Sequence, residues 1–128
     1  MILFIIGIMI YALIEARMDF WDIRDNKPIY HKEGWFRRAG IAGILIVVML
    51  LLTDVTFPAL CLVAYGVFSL SFRITLNLIR GKSWDYVSSS NVYDSLFLHI
   101  FGDKGGMAAS IVELGAAALG VHLYLNHL

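Results

Sequence analysis

Long apolar segments alternate with short polar ones along this chain. Four apolar blocks cover residues 2–16, 39–53, 58–79 and 107–125. A helix needs about 20 residues to cross the hydrocarbon core of a bilayer, with a range of about 17–25. The last two blocks reach that length as they stand. The first two reach it when they extend into flanking basic and aromatic residues, which tolerate the membrane interface.

This pattern predicts an all-α membrane protein with four transmembrane helices in a single integral membrane domain, residues 1–128. The expected spans are approximately 2–18, 36–53, 58–79 and 107–125. The first apolar stretch lacks a basic n-region and a small-residue cleavage site, so we expect a retained helix rather than a signal peptide. Pro58 suits the first turn of a helix and Thr56 its N-cap, which predicts a tight hairpin between the second and third spans.

A short amphipathic helix is predicted before the last span. In the segment 91–101, the apolar side chains fall on one side of a helix, whereas Asp94, Ser95 and His99 do not. Such a helix is expected to lie in the membrane surface. Gly102, Gly105 and Gly106 then allow the chain to turn into the fourth span.

The composition agrees with a membrane location. Of the 128 residues, 59% are hydrophobic and 16% are charged, and the mean hydropathy is +0.76. Soluble domains carry about 25% charged residues. Ten Lys and Arg balance ten Asp and Glu, so net charge gives no reason to expect nucleic acid as a partner. Cys61 is the only cysteine, which excludes an intramolecular disulfide.

The basic residues are distributed very unevenly among the connections. Segments 17–38 and 80–104 hold nine Lys and Arg, whereas the hairpin at 54–57 holds none. Basic loops stay on the cytoplasmic side of a membrane. We therefore expect both long connections to be cytoplasmic and both termini to lie outside, in a bacterial-type inner membrane.

An acidic face is predicted at the end of the first span. Glu15, Asp19 and Asp22 are spaced to lie on one side of a helix, and His31 follows after a turn at 26–28. These four side chains are the types that bind a divalent metal ion. The alternative is a solvated face whose carboxylates pair with neighbouring arginines.

Three side chains at the same membrane surface are candidates for acid–base catalysis. They are Asp19 on the acidic face and Asp94 and His99 in the amphipathic segment. The alternative for His99 is an interfacial side chain that faces water.

Two charged residues are predicted inside the membrane. At 1.5 Å per residue, Arg73 and Glu113 both fall about 8–10 Å from the cytoplasmic face of a core about 30 Å thick. A charge at this depth needs a partner. We therefore expect Arg73 to pair with Glu113, with Asn77 and Glu15 completing an intramembrane polar cluster.

These features leave three hypotheses for the function. The first is a non-enzymatic subunit or accessory factor whose cytoplasmic loops dock a membrane-complex partner or a second copy of the chain. The second is a membrane enzyme with the carboxylate and histidine site, with or without a divalent metal ion. The third is an oligomeric pore, transporter or holin-like protein. Membrane lipids are expected partners in all three.

Overall fold

The chain is helical in a computed structural model that describes residues 1–25, 31–54, 56–89 and 92–126. The side chains of residues 31–33 and 35 lie outside this description. The described residues form five α-helices: α1 (Ile2–Arg24), α2 (His31–Leu52), α3 (Phe57–Ile79), α4 (Val92–Phe101) and α5 (Gly105–Leu125). A single 3₁₀ turn, Gly102–Lys104, joins the last two. The described residues form no strand, which agrees with the predicted all-α class.

The helix ends differ from the predicted spans where polar residues continue a helix. α1 runs on to Arg24, past the apolar block, as its acidic spacing predicted. α2 begins at His31, five residues before the predicted span, because its polar first turns are helical as well. The predicted turn at 26–28 lies outside the described residues.

Within the described part of the chain, two helical runs are long and apolar enough to cross a membrane. They are Phe57–Ile79 and Val92–Leu125, the second of which includes α4 and α5. α1 and α2 are not among them, and both carry charged side chains within their length. Length and composition therefore support two of the four predicted spans.

α3 is the central helix of the molecule. It packs most extensively against α5, next against α1 and only lightly against α2. The apolar core lies where these helices meet, and its largest fully buried apolar side chains are Ile8, Leu60 and Val63. Among its described side chains, α2 contributes one buried apolar residue, Ile46, and exposes much of the remaining surface.

Glycines allow α3 and α5 to approach closely. A Cβ added at Gly66 would overlap the backbone of α5 at Glu113, and one added at Gly120 would lie 2.7 Å from the carbonyl oxygen of Ala59. Small residues at such positions are typical of helix pairs in membranes, because close backbone contact gives van der Waals stabilisation that lipid cannot replace. This close contact positions the polar side chains described next.

Candidate functional site: two buried ion-pair clusters

The first cluster, called the Arg73 cluster, joins α3 to α5. Its members are Arg73, Ser110, Glu113 and Tyr93. The Nη2 of Arg73 donates to Glu113 Oε2 at 2.6 Å and to Ser110 Oγ at 2.8 Å, and its Nη1 donates to the carbonyl oxygen of Gly106 at 3.1 Å. Arg73 is 7% exposed and Glu113 is 1% exposed. The structure thus brings the two predicted intramembrane charges into one buried ion pair.

Tyr93 connects α4 to this pair. Its hydroxyl donates to Glu113 Oε1 at 3.3 Å and accepts a hydrogen bond from the Tyr65 hydroxyl at 2.9 Å. Both oxygens of the Glu113 carboxylate are therefore hydrogen-bonded, one to an arginine and one to a tyrosine. Multiple partners of this kind reduce the large cost of burying a carboxylate.

The second cluster, called the Glu15 cluster, joins α1 to α2. Its members are Glu15, Asp19, Arg37 and Arg38. Arg37 makes a two-pronged contact with Glu15, through Nε at 2.9 Å and Nη2 at 2.7 Å. Arg38 donates through Nε to Glu15 at 3.1 Å and through Nη2 to Asp19 at 2.5 Å. Glu15 is 2% exposed, so both arginines neutralise a buried carboxylate.

α3 separates the two clusters. The Arg38 guanidinium lies 4.4 Å from the ring centre of Phe72, whereas the next residue, Arg73, points to α5. Successive side chains on a helix point about 100° apart, so Phe72 and Arg73 face different sides of α3. The ring of Phe72 stacks on Phe68, which contacts Tyr11 of α1. An aromatic row therefore lies along the α1 side of the central helix.

This separation corrects the expected membership of the intramembrane polar cluster. Glu15 pairs with Arg37 and Arg38 on α2 and not with the Arg73 cluster, because α1 and α5 lie against different sides of α3. Asn77 serves a third role. Its Nδ2 donates to the carbonyl oxygens of Trp84 at 3.3 Å and Tyr86 at 2.7 Å, which fixes the loop after α3.

The structure places arginine side chains against two members of the predicted metal set. Glu15 and Asp19 of the predicted metal set are both bound by arginine, so their oxygens already have cationic partners. Asp22 lies further along α1, and the His31 side chain is outside the described residues. Among the described residues, no three His, Cys, Asp or Glu side chains could hold a metal ion together.

The three catalytic candidates make separate contacts. Asp19 is bonded to Arg38, Asp94 accepts a hydrogen bond from the backbone N–H of Ser88 at 3.1 Å, and His99 is exposed on α4. No hydrogen bond among the described residues links any two of them. Their assignment to one catalytic site therefore stays a prediction from the sequence.

Several members of the clusters were not singled out from the sequence. Arg37 and Arg38 were counted only as basic loop residues, although they follow the acidic face closely enough to fold back on it. Ser110 precedes Glu113 by three residues and so shares its side of α5, a spacing that could have indicated it. Tyr65 and Tyr93 gave no comparable signal.

Comparison of the chain with protein-family models, with curated proteins and with solved structures found no match in any of the three.

Proposed function

We propose that this chain is a non-catalytic integral membrane protein, a subunit or accessory factor of a membrane complex. The proposal rests on one observation: charged side chains are buried inside the molecule, whereas large apolar side chains are exposed on its surface. Glu15 and Glu113 are among the most completely buried side chains, whereas Leu3, Leu51 and Ile111 are exposed by 83%, 80% and 64%. A soluble protein would have the reverse arrangement, because burying charge and exposing apolar surface both cost free energy in water.

The proposed topology has four membrane-crossing helices, α1, α2, α3 and α5, in a bacterial-type inner membrane. Segments 17–38 and 80–104 lie in the cytoplasm, and both termini lie outside. The uneven distribution of basic residues supports this orientation. α4 then lies in the cytoplasmic membrane surface, with Val92, Leu96 and Ile100 exposed on one side for the lipid.

A non-catalytic role is favoured because the two buried glutamates already form ion pairs with arginines of the same chain. Glu113 is bonded to Arg73 and Tyr93, and Glu15 is bonded to two arginines. A catalytic acid or base must be able to contact a substrate, and these carboxylates contact other helices instead. The large apolar surface of α2 suits a neighbouring membrane helix, either of a partner subunit or of a second copy.

Membrane extraction and cysteine labelling test this proposal. We expect the chain to stay in the membrane fraction after a high-salt wash and to require detergent for release. In a Cys61→Ala background, Ser83→Cys should be labelled only from the cytoplasmic side and Asp54→Cys only from the outside. Recovery of a stable monomer in detergent-free buffer, or labelling of both positions from one side, would contradict the proposed topology.

Partner capture tests the role as a subunit. We expect photocrosslinkers placed on the exposed face of α2, for example at Val48, to give a discrete crosslinked band in native membranes. Crosslinkers at Ala109, which is buried between helices, provide the matched control. Ion or solute flux through liposomes that contain only the purified chain would instead identify a pore or transporter.

A further inference from the structure

The loop that follows α3 holds positive charge against an aromatic ring. Residues 80–86, called the basic–aromatic loop, contain Arg80, Lys82, Trp84 and Tyr86. The Arg80 guanidinium carbon lies 5.9 Å from the centre of the Tyr86 ring, and the Lys82 Nζ lies 5.5 Å from it. Cations within about 6 Å of a ring face are attracted to it. Two positive charges therefore converge on one side chain.

The backbone of this loop is fixed at several points. The Asn77 side chain donates hydrogen bonds to the carbonyl oxygens of Trp84 and Tyr86, and the Lys82 N–H donates to the carbonyl oxygen of Asn77 at 2.8 Å. Gly81 has a φ of 68°, which lets the chain turn directly after the helix. The loop is thus ordered before any ligand arrives, which reduces the entropy cost of binding.

The loop begins where an exposed apolar surface ends. Leu78 and Ile79, the last residues of α3, are exposed by 59% and 37%, and Arg80 follows immediately. Trp84 is also exposed, by 45%. In a membrane, basic and tryptophan side chains next to an apolar surface lie at the level of the lipid headgroups.

We propose that the basic–aromatic loop binds the phosphate-containing headgroup of an anionic phospholipid in the cytoplasmic leaflet. The inference rests on the membrane location proposed above. Arg80 and Lys82 outnumber the one acidic residue of the loop, Asp85, so the charge is complementary to an anion. Free phosphate would meet the same two cations. The adjoining apolar side chains at 78 and 79 favour a lipid, because they can contact its acyl chains.

Native mass spectrometry of the full chain in detergent micelles tests this inference. The chain is titrated with dioleoyl phosphatidylglycerol or with zwitterionic dioleoyl phosphatidylcholine. We expect the first lipid to bind more tightly. The double variant R80Q/K82Q should weaken phosphatidylglycerol binding about 30-fold, because each basic residue near an anionic surface contributes a factor of about five.

The variant R17Q/R24Q is the matched control, because it removes two exposed positive charges outside the loop. It should weaken phosphatidylglycerol binding much less than R80Q/K82Q does. A third variant, Tyr86→Leu, keeps both charges and should weaken binding by removing the ring that gathers them. Circular dichroism establishes that each variant is folded.

Three results would overturn the inference. These are equal binding of the two lipids, equal losses in the two double variants, and displacement of phosphatidylglycerol by an equal concentration of inorganic phosphate. Failure of the membrane proposal is seen separately, because the chain would then be recovered without detergent before any lipid is added.

Discussion

The Glu113→Gln substitution removes the charge from the partner of Arg73 while keeping its size. Arg73 would then keep only neutral acceptors, namely the Gly106 carbonyl oxygen, the Ser110 hydroxyl and the carbonyl oxygen of the new glutamine. Its Nε is already buried with no hydrogen-bond partner among the described residues. The guanidinium, which is 7% exposed, would therefore become an uncompensated buried cation.

Breaking one side of a buried ion pair costs about 3–5 kcal/mol. We expect the lower part of this range, about 3 kcal/mol, because the single carbonyl oxygen of the glutamine can still accept a hydrogen bond from Arg73. Removing both charges in the double variant R73M/E113L should cost much less. Replacement of a whole buried pair by apolar side chains of similar volume is often neutral or stabilising, by about 1–4 kcal/mol.

Reversible unfolding in mixed micelles, followed by circular dichroism, measures these free energies of unfolding. The exposed Arg24–Asp25 pair, 3.3 Å apart, provides the matched control. Asp25→Asn should change the free energy of unfolding by less than about 1 kcal/mol, because exposed ion pairs contribute little. A Glu113→Gln loss as small as this control would refute the reasoning. So would a double variant that loses as much stability as the sum of the losses measured separately for R73M and E113L.

Three further predictions use the same unfolding measurement. Gly66→Ala should lower the free energy of unfolding by about 1–3 kcal/mol, because the added methyl group overlaps α5. Gly115→Ala, whose methyl group meets open space, should leave the free energy of unfolding unchanged or raise it. Equal effects of the two substitutions would contradict the close approach of the helices. Arg38→Gln should cost more than Arg37→Gln, because Arg38 bonds two carboxylates of α1 and is the less exposed of the two; the reverse order would contradict the assigned contacts. Tyr93→Phe should cost about 1 kcal/mol, the net value of a typical hydrogen bond, and no loss would mean that this hydroxyl does not stabilise the glutamate.

The sequence could predict helices and the depth of charges along them, but not the side on which each helix packs. Residue counts alone placed Arg73 and Glu113 at one level, because the rise of a helix is constant. The same counts placed Glu15 near that level and suggested one cluster. The structure divides these residues between two sides of α3, and that division depends on which helices are neighbours.

The ion pairs between α1 and α2 could not be predicted from the sequence for a related reason. Arg37 and Arg38 lie 22 and 23 residues after Glu15, and residue types do not specify how a chain folds back over that separation. Asn77 shows a second limit. Its position on α3 suggested a partner for Arg73, whereas its amide bonds two backbone carbonyls of the following loop. Contacts between a side chain and a distant backbone leave no pattern in residue types.

The hydrogen bonds of Arg73 to α5 restrict movement between α3 and α5. Its guanidinium bonds Gly106, Ser110 and Glu113, which are spread over two turns of that helix. Sliding α5 past α3 by one residue would break all three bonds at once, and the glycine contact at Gly66 opposes rotation. These contacts oppose independent movement of α3 and α5. α2 packs only lightly against α3 and α1, so its displacement would break fewer contacts than displacement of either of those helices.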